Sequence, residues 1–269
     1  MPNEENRFYP FSRNFDYSED DFETMMKFNF LYWKRGNYTW GTTTHRGVTC
    51  WNPPTDLWSF QEIIQEQKPK LVVECGTGCG GTSLWLADVM KRVVPDGRVV
   101  TIDISREHLN TAAIDVWNEL GNVEYLEGSS ISEPVLRRVK SHVDWAEGNI
   151  LVILDSDHTY PHPLRELEVY STLVKEGNYI VVCDTMVPGP RDSVKEFLES
   201  HKDWSIDPFS NRYMLSFCFG GFLVHSNPPP AAVLSIIGIN SGEGVPPWYS
   251  PEEWGRPDGF GLSEKIEIK

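Results

Sequence analysis

Basic residues are scarce in this chain of 269 residues: 24 Lys and Arg stand against 39 Asp and Glu, a formal net charge of −15. That balance argues against a protein that grips nucleic acid, because such binding rests on cationic neutralisation of phosphates. No run of about 18 apolar residues occurs, so no transmembrane helix is expected. The amino-terminal stretch Met1-Pro-Asn-Glu-Glu-Asn-Arg7 lacks the basic start and apolar stretch of a secretory signal. Cysteines are few, and Cys50, Cys75, Cys79, Cys183 and Cys218 show no paired metal-ligand spacing. Reduced thiols in a cytoplasmic protein are therefore expected. No internal repeat is visible, which argues against a solenoid.

What is present is ordinary globular material, with 40% hydrophobic and 23% charged residues. Three zones differ in composition. Residues 1–54 are aromatic-rich without clear periodicity, hold little aliphatic material for a core of their own, and are expected to form a lid or oligomerisation segment. Residues 226–269 are proline-rich and read as an irregular tail. Between them, 55–225 alternate amphipathic segments with apolar runs at 71–74, 98–103, 123–126, 150–155 and 179–184. Strand–helix alternation predicts an α/β fold with a mostly parallel, doubly wound sheet. A late pair of runs, 212–217 and 221–225, is expected to form an antiparallel hairpin at the sheet edge.

Ligands of such sheets bind beyond the carboxyl ends of the strands. Three predicted strands end there in an acid, Asp103, Asp155 and Asp184, and a fourth ends in Glu74. Apolar strands that deposit acids at one edge are hard to explain by packing, since buried unpaired charge is costly. After Glu74 comes Cys75-Gly-Thr-Gly-Cys-Gly-Gly-Thr-Ser83, a glycine-rich turn into a helix that lets a ligand approach the backbone. Gly76, Thr77, Gly78 and Ser83 are the candidate contacts there, with Asp103 placed to accept ribose hydroxyls. An acid directly before the first glycine would repel a pyrophosphate but suits an ammonium or sulfonium group. S-adenosylmethionine fits that description better than a nicotinamide cofactor; glycines serving only the turn are the third reading. Ser129 and Ser130, after the third strand, could meet an adenine, or simply form a turn before the next helix.

The segment Leu154-Asp-Ser-Asp-His-Thr-Tyr160 leaves a buried strand with two acids and a histidine within four residues. Hard divalent cations take carboxylate oxygens, so Asp155 and Asp184 are candidate ligands of Mg²⁺ or another divalent cation. Asp157 is either a third ligand or a capping acid. His158 is the candidate general base for a substrate hydroxyl. His162, flanked by prolines at a helix start, reads as structural.

These segments together resemble the cephalosporin hydroxylase-type family of S-adenosylmethionine-dependent proteins, which includes sugar and natural-product O-methyltransferases. The resemblance rests on Arg46-Gly-Val, Asn52-Pro-Pro-Thr-Asp-Leu-Trp58, the Val73–Ser83 loop, Val100-Thr-Ile-Asp103, Leu126-Glu-Gly-Ser-Ser130, Ile153-Leu-Asp-Ser-Asp-His-Thr-Tyr160 and Val181-Val-Cys-Asp-Thr185. It implies a Rossmann-like class I methyltransferase fold and Mg²⁺-assisted methyl transfer, with Asp155 and Asp184 as ligands, Asp155 also near the donor, and His158 as base. The Asp-x-x-His step is similar to the Asp-x-x-Lys of catechol-type methyltransferases. One position departs from the family: Cys183 stands where a Glu usually precedes the second metal Asp, and Thr185 or Asp157 could compensate. Tyr38, Trp40, His45 and Trp51 either line an acceptor pocket for a small hydroxylated molecule or pack against the sheet, and the two terminal segments suit a homo-oligomer. An oxygenase component or a non-catalytic donor-binding partner are the alternative functions.

Overall fold

The computed structural model describes residues 18–35, 39–207 and 212–226. The chain enters through helix α1 (Glu19–Phe30), started by a capping box in which Ser18 and Asp21 exchange hydrogen bonds. One π-helical turn (Leu31–Arg35), one 3-10 turn (Thr39–Thr42) and a small ladder of β1 (Thr44–His45) and β2 (Val48–Thr49) follow. Helix α2 (Pro54–Gln67) then leads into the alternating body: β3 (Leu71–Cys75), α3 (Gly81–Val93), β4 (Arg98–Asp103), α4 (Thr111–Leu120), β5 (Val123–Glu127), α5 (Glu133–Ala146), β6 (Ile150–Leu154), α6 (His162–Ser171), β7 (Tyr179–Val182) and α7 (Pro188–Ser200). Two short strands, β8 (Trp204–Ile206) and β9 (Phe222–His225), complete it.

The main sheet has the order β5-β4-β3-β6-β7-β9-β8, parallel through its first five strands and antiparallel at β9 and β8. Alternation along the strands feeds two cores. Leu71, Val73, Val100, Ile102, Val152 and Leu154 face α5, α6 and α7, where Val139, Leu167 and Phe197 are fully buried. Val72, Val99, Leu151, Ile153 and Val181 face α2 and α3, against Phe60, Ile64, Leu86 and Met90. Burying both faces is what makes these strands read as continuous apolar runs. The chain winds outward from β3 to β4 and β5, then returns to β6 on the other side of β3. That reversal opens a crevice beyond the carboxyl ends of β3, β4 and β6.

The edge hairpin differs from expectation. β9 forms as predicted, but its outer antiparallel partner is β8, and 212–217 is irregular. Side chains take the backbone groups that a ladder would have used. Asn29 donates to the Met214 carbonyl (2.7 Å) and accepts from the Ser216 amide (2.9 Å). Thr55 donates to the Leu215 carbonyl (2.6 Å), and the Phe217 amide donates to Asp56 (2.8 Å). Among the described residues, no helix is long and apolar enough to cross a membrane. Residues 1–17, Tyr38 with its neighbours 36 and 37, and the tail from 227 onward lie outside the described residues.

Candidate active site

A cleft of about 740 Å³ opens at the reversal of strand order, in the size range of small-molecule sites. Its floor is the turn after β3. Gly76 sits at φ +98°, and a β-carbon there would stand 1.9 Å from the Asp155 carbonyl oxygen. Only glycine lets the β3 turn and the end of β6 approach so closely. Asp103, at the end of β4, accepts from the amides of Thr77 (3.1 Å) and Gly78 (3.0 Å), which fixes the loop against the neighbouring strand.

Gly76, Thr77, Gly78, Asp103, Ser129, Ser130 and Asp155 all line the cleft. Glu74 and Ser83 do not. Strand alternation turns Glu74 toward α3, where it is 1% exposed and accepts a 2.5 Å hydrogen bond from Thr101. Thr101 Oγ1 in turn lies 2.7 Å from Thr77 Oγ1, so Glu74 anchors the loop from behind. Burial pushes the Glu74 carboxyl up to about 8, against the Thr101 hydrogen bond, which lowers it. Ser83 is buried in the first turn of α3 and donates to the Gly80 carbonyl.

The second half of the cleft is acidic. Asp155, His158 and Asp184 bring one ligand atom each within 4.8 Å of one another. His158 Nε2 is 3.5 Å from Asp155 Oδ1 and 3.3 Å from Asp184 Oδ2. Burial alone would lower the His158 pKa, but the Asp184 and Asp155 carboxylates override it and push it up to about 9. Burial likewise raises Asp184, to about 6, with His158 opposing and Asp155 adding to the rise. Asp184 is held at φ +52°, a left-handed conformation that a non-glycine residue adopts at a cost on the order of 1 kcal/mol. Behind this group, the α7 start approaches so tightly that a β-carbon on Gly189 would meet the His158 carbonyl oxygen at 1.9 Å.

The structure assigns other partners to both supplementary ligands. Asp157 lines the cleft but accepts from the Thr159 amide and hydroxyl, capping its own turn. Thr185 is buried and donates to the Phe219 carbonyl (2.7 Å), away from the cleft. Cys183 also turns away: it lies in the α2/α3 core with its sulfur 3.0 Å from Cys218 Sγ. The thiol therefore does not enter the donor set, which consists of two carboxylates and one imidazole. Such oxygen-rich donors suit a hard divalent cation, whereas the non-haem iron facial triad needs two histidines and one carboxylate.

Aromatic rings wall the mouth. Trp40 and Trp51 line it, in an edge-to-face pair 6.2 Å apart. Trp33 and Phe217 join them. His45 does not: it is 2.6 Å from Asp88 on the outer side of α3, with Arg46 on the same carboxylate. Several lining residues were not singled out from sequence, including Ile104, Glu107, His108 and Ser156, and His162, read from sequence as structural, lines the cleft as well. Asn52, its amide 3.4 Å from Asp155 Oδ2, and the buried Glu166 behind Ser130 were missed as well. Glu166 did leave a signal, an acid inside the apolar stripe Pro163, Leu164, Leu167 and Tyr170 of α6.

Comparison with known proteins gives a consistent result. The family described as Rhamnosyl O-methyltransferase/CmcI matches residues 37–226. The chain is 30% identical to the rhamnosyl O-methyltransferase of Mycobacterium tuberculosis strain H37Rv over 206 residues, 72% of this chain and 82% of that protein. It is 33% identical to the one from Mycobacterium leprae, over 58% of this chain and 66% of that protein. Among solved structures, CmcI with Mg and SAM superposes with a TM-score of 0.55 at 20% identity, covering 68% of this chain and 76% of that one, which supports the fold.

Proposed function

The chain belongs to the rhamnosyl O-methyltransferase/CmcI family, and from that premise we propose that its cleft binds S-adenosylmethionine and a divalent cation and methylates a sugar hydroxyl, with His158 as general base. Membership makes it an S-adenosylmethionine-dependent O-methyltransferase. The relatives are named for O-methylation of a rhamnosyl group, so a rhamnosyl hydroxyl is the acceptor of this reading. The observation that carries it is the convergence of Asp155, His158 and Asp184 beside the glycine loop and Asp103 in one cleft.

The residues present fit both groups. Gly76 and Gly78 leave backbone exposed for a ligand to lie on, and Asp103 keeps a carboxylate oxygen at the strand end for ribose hydroxyls. Asp155 and Asp184 would hold the cation: two half-buried carboxylates converging on one point favour a positive partner. When bound, the sulfonium donor supplies an electrophilic methyl carbon and Mg²⁺ supplies Lewis acidity toward the acceptor oxygen.

The chain's own part is positioning and proton handling. Trp40, Trp51 and Phe217 give apolar faces for the carbon skeleton of a sugar and help exclude water from the acidic end. Asn52 and the turn of Gly76 fix Asp155 from two sides. With a cation held by Asp155 and Asp184 to offset the carboxylate charge that raises its pKa, the His158 imidazole, backed by the start of α7, is neutral and accepts the acceptor proton. Alignment of the two reactants supplies much of the rate. Neither alternative draws support from the site: the donor set is not an oxygenase triad, and a binding partner would not need a base between two ligands.

The test is methyl transfer from S-adenosylmethionine to a rhamnoside, with and without EDTA, on the wild type and on His158→Gln. The variant should lose about 100-fold or more in kcat while binding S-adenosylhomocysteine within about 3-fold of wild type. Full activity of His158→Gln would remove it from the base role.

A further inference from the structure

Helix α1 and the π-helical turn after it end at Arg35, before the stretch that matches the family, which begins at residue 37. They reach the cleft all the same. Trp33, in that π-helical turn, is one of the lining residues. Such turns are rare and recur at functional sites. Trp33 packs in one aromatic cluster with Trp40, Met186 and Phe217. Its carbonyl accepts from Trp40 Nε1 at 3.2 Å, and the neighbouring Tyr32 meets Phe217 edge to face at 6.2 Å. Met186 lies two residues beyond Asp184, and the Thr185 amide donates to the Phe217 carbonyl at 2.9 Å. The cluster therefore borders the acidic end of the cleft.

Asn29 ties the Phe217 segment to α1. It is 1% exposed, and its whole amide is engaged. The nitrogen donates to the carbonyls of Met25 (2.8 Å) and Met214 (2.7 Å), and the oxygen accepts from the Ser216 amide (2.9 Å). Asp56 and Thr185 hold the backbone of Phe217 itself. Asn29 holds the two residues on its amino-terminal side that flank Leu215, and one of them, Met214, sits at φ +59°. A non-glycine residue keeps that left-handed conformation only where its surroundings fix it.

An acceptor with its hydroxyl at Asp155, His158 and Asp184 has to lay its carbon skeleton against this cluster. Resting on the acceptor reading above, we propose that residues 29–33 are an acceptor-binding element particular to this chain: Trp33 is a further wall for the acceptor, and Asn29 is a positioning residue that sets Phe217 beside it. The glycine loop and Asp103, which serve the donor, take no part. A wall that meets the acceptor equally in the ground state and the transition state acts on KM and leaves kcat nearly alone.

Initial rates with a rhamnoside, together with calorimetry of S-adenosylhomocysteine binding, test this on the full chain. Trp33→Ala removes an indole face and should raise the acceptor KM about 10-fold, whereas Trp33→Phe keeps a ring and should stay within about 3-fold of wild type. Asn29→Leu, of similar size, strips the Met214 carbonyl and the Ser216 amide of their partner and should raise the acceptor KM at least about 5-fold. In Trp33→Ala and Asn29→Leu the loss should fall in KM more than in kcat, with S-adenosylhomocysteine affinity within about 2-fold of wild type. A merely structural role would lower kcat and donor affinity together without a preferential rise in KM, and that pattern overturns the inference. A wild-type acceptor KM in both variants overturns it too, while leaving the methyltransferase reading standing. If Asn29→Leu does not fold, Asn29→Asp serves instead: it still accepts from Ser216 but no longer donates to Met214, and should raise the acceptor KM about 3-fold or more. A wild-type KM there removes Asn29 from the positioning role. Absence of methyl transfer from the wild type to any rhamnoside overturns the acceptor reading and this inference with it.

Discussion

Replacing Glu74 by Gln should flatten the dependence of stability on pH, and the size of the change can be worked from its surroundings. The side chain is 1% exposed, and burial raises its pKa from 4.5 to about 8 even though Thr101 donates to it. A carboxyl with a raised folded pKa holds its proton more tightly in the native state than in the unfolded chain. Its contribution is full below about pH 4.5 and is lost as pH rises toward 8. At about 1.4 kcal/mol per pH unit, a displacement of more than three units amounts to a loss on the order of 4 kcal/mol. Against a total stability of about 5–15 kcal/mol that is a large fraction. Glutamine keeps an acceptor for Thr101 and has no proton to lose. Urea unfolding followed by fluorescence from pH 5 to 8.5 reads the difference. The wild type should lose stability across the range, and Glu74→Gln should lose less and be the more stable protein at pH 8. Asp56, buried beneath the Phe217 amide and raised to about 7, adds a fall of the same sign in both proteins, so the comparison isolates Glu74. Parallel curves for the two proteins would refute the assignment of a buried, proton-retaining Glu74.

Asp184→Asn removes one of the two converging carboxylates and should cut methyl transfer by about 100-fold or more while raising the Mg²⁺ concentration needed for half-activity, read from initial rates across a Mg²⁺ series. Gly76→Ala forces a β-carbon onto the Asp155 carbonyl and should weaken S-adenosylhomocysteine binding at least about 10-fold in calorimetry, unlike Gly47→Ala, where the space is open. Cys183→Ala leaves a small core cavity and should cost about 1 kcal/mol in urea unfolding, with kcat and the Mg²⁺ dependence within about 2-fold of wild type, because the thiol faces Cys218.

The strand–helix body was legible because its signals are local. Five apolar runs each bounded by turn residues became β3 to β7 within one or two residues, and Asn110 and Gly121 mark the ends of α4 as cap residues do. The stretch 212–217 carries the same β-forming composition, but its backbone is claimed by Asn29, Thr55 and Asp56, residues up to 187 positions away. No window on the local sequence contains those partners. The strand that took its place at the edge, β8, has only three residues, too few for a periodic pattern.

Site residues divide along the same line. Acids at strand ends are placed by register, so Asp103, Asp155 and Asp184 reach the cleft as soon as the sheet is parallel. Facing is a different matter, because one residue of strand register separates the cleft from the core. Glu74 and Cys183 both sit beside functional positions and both point into the α2/α3 layer, where Val72 and Val181 already point. The same alternation, applied to the sequence, sets Glu74 behind the loop and Cys183 outside the ligand set. The alternation could not have supplied Glu166. Its role depends on α5 and α6 lying on one face of the sheet, which brings the loops after β5 and β6 together over a single carboxylate. A contact of that kind becomes visible only when the crossovers are known. A buried acid on the apolar stripe of a helix is the local sign that such a contact is needed, since unpaired charge there would be too costly to keep.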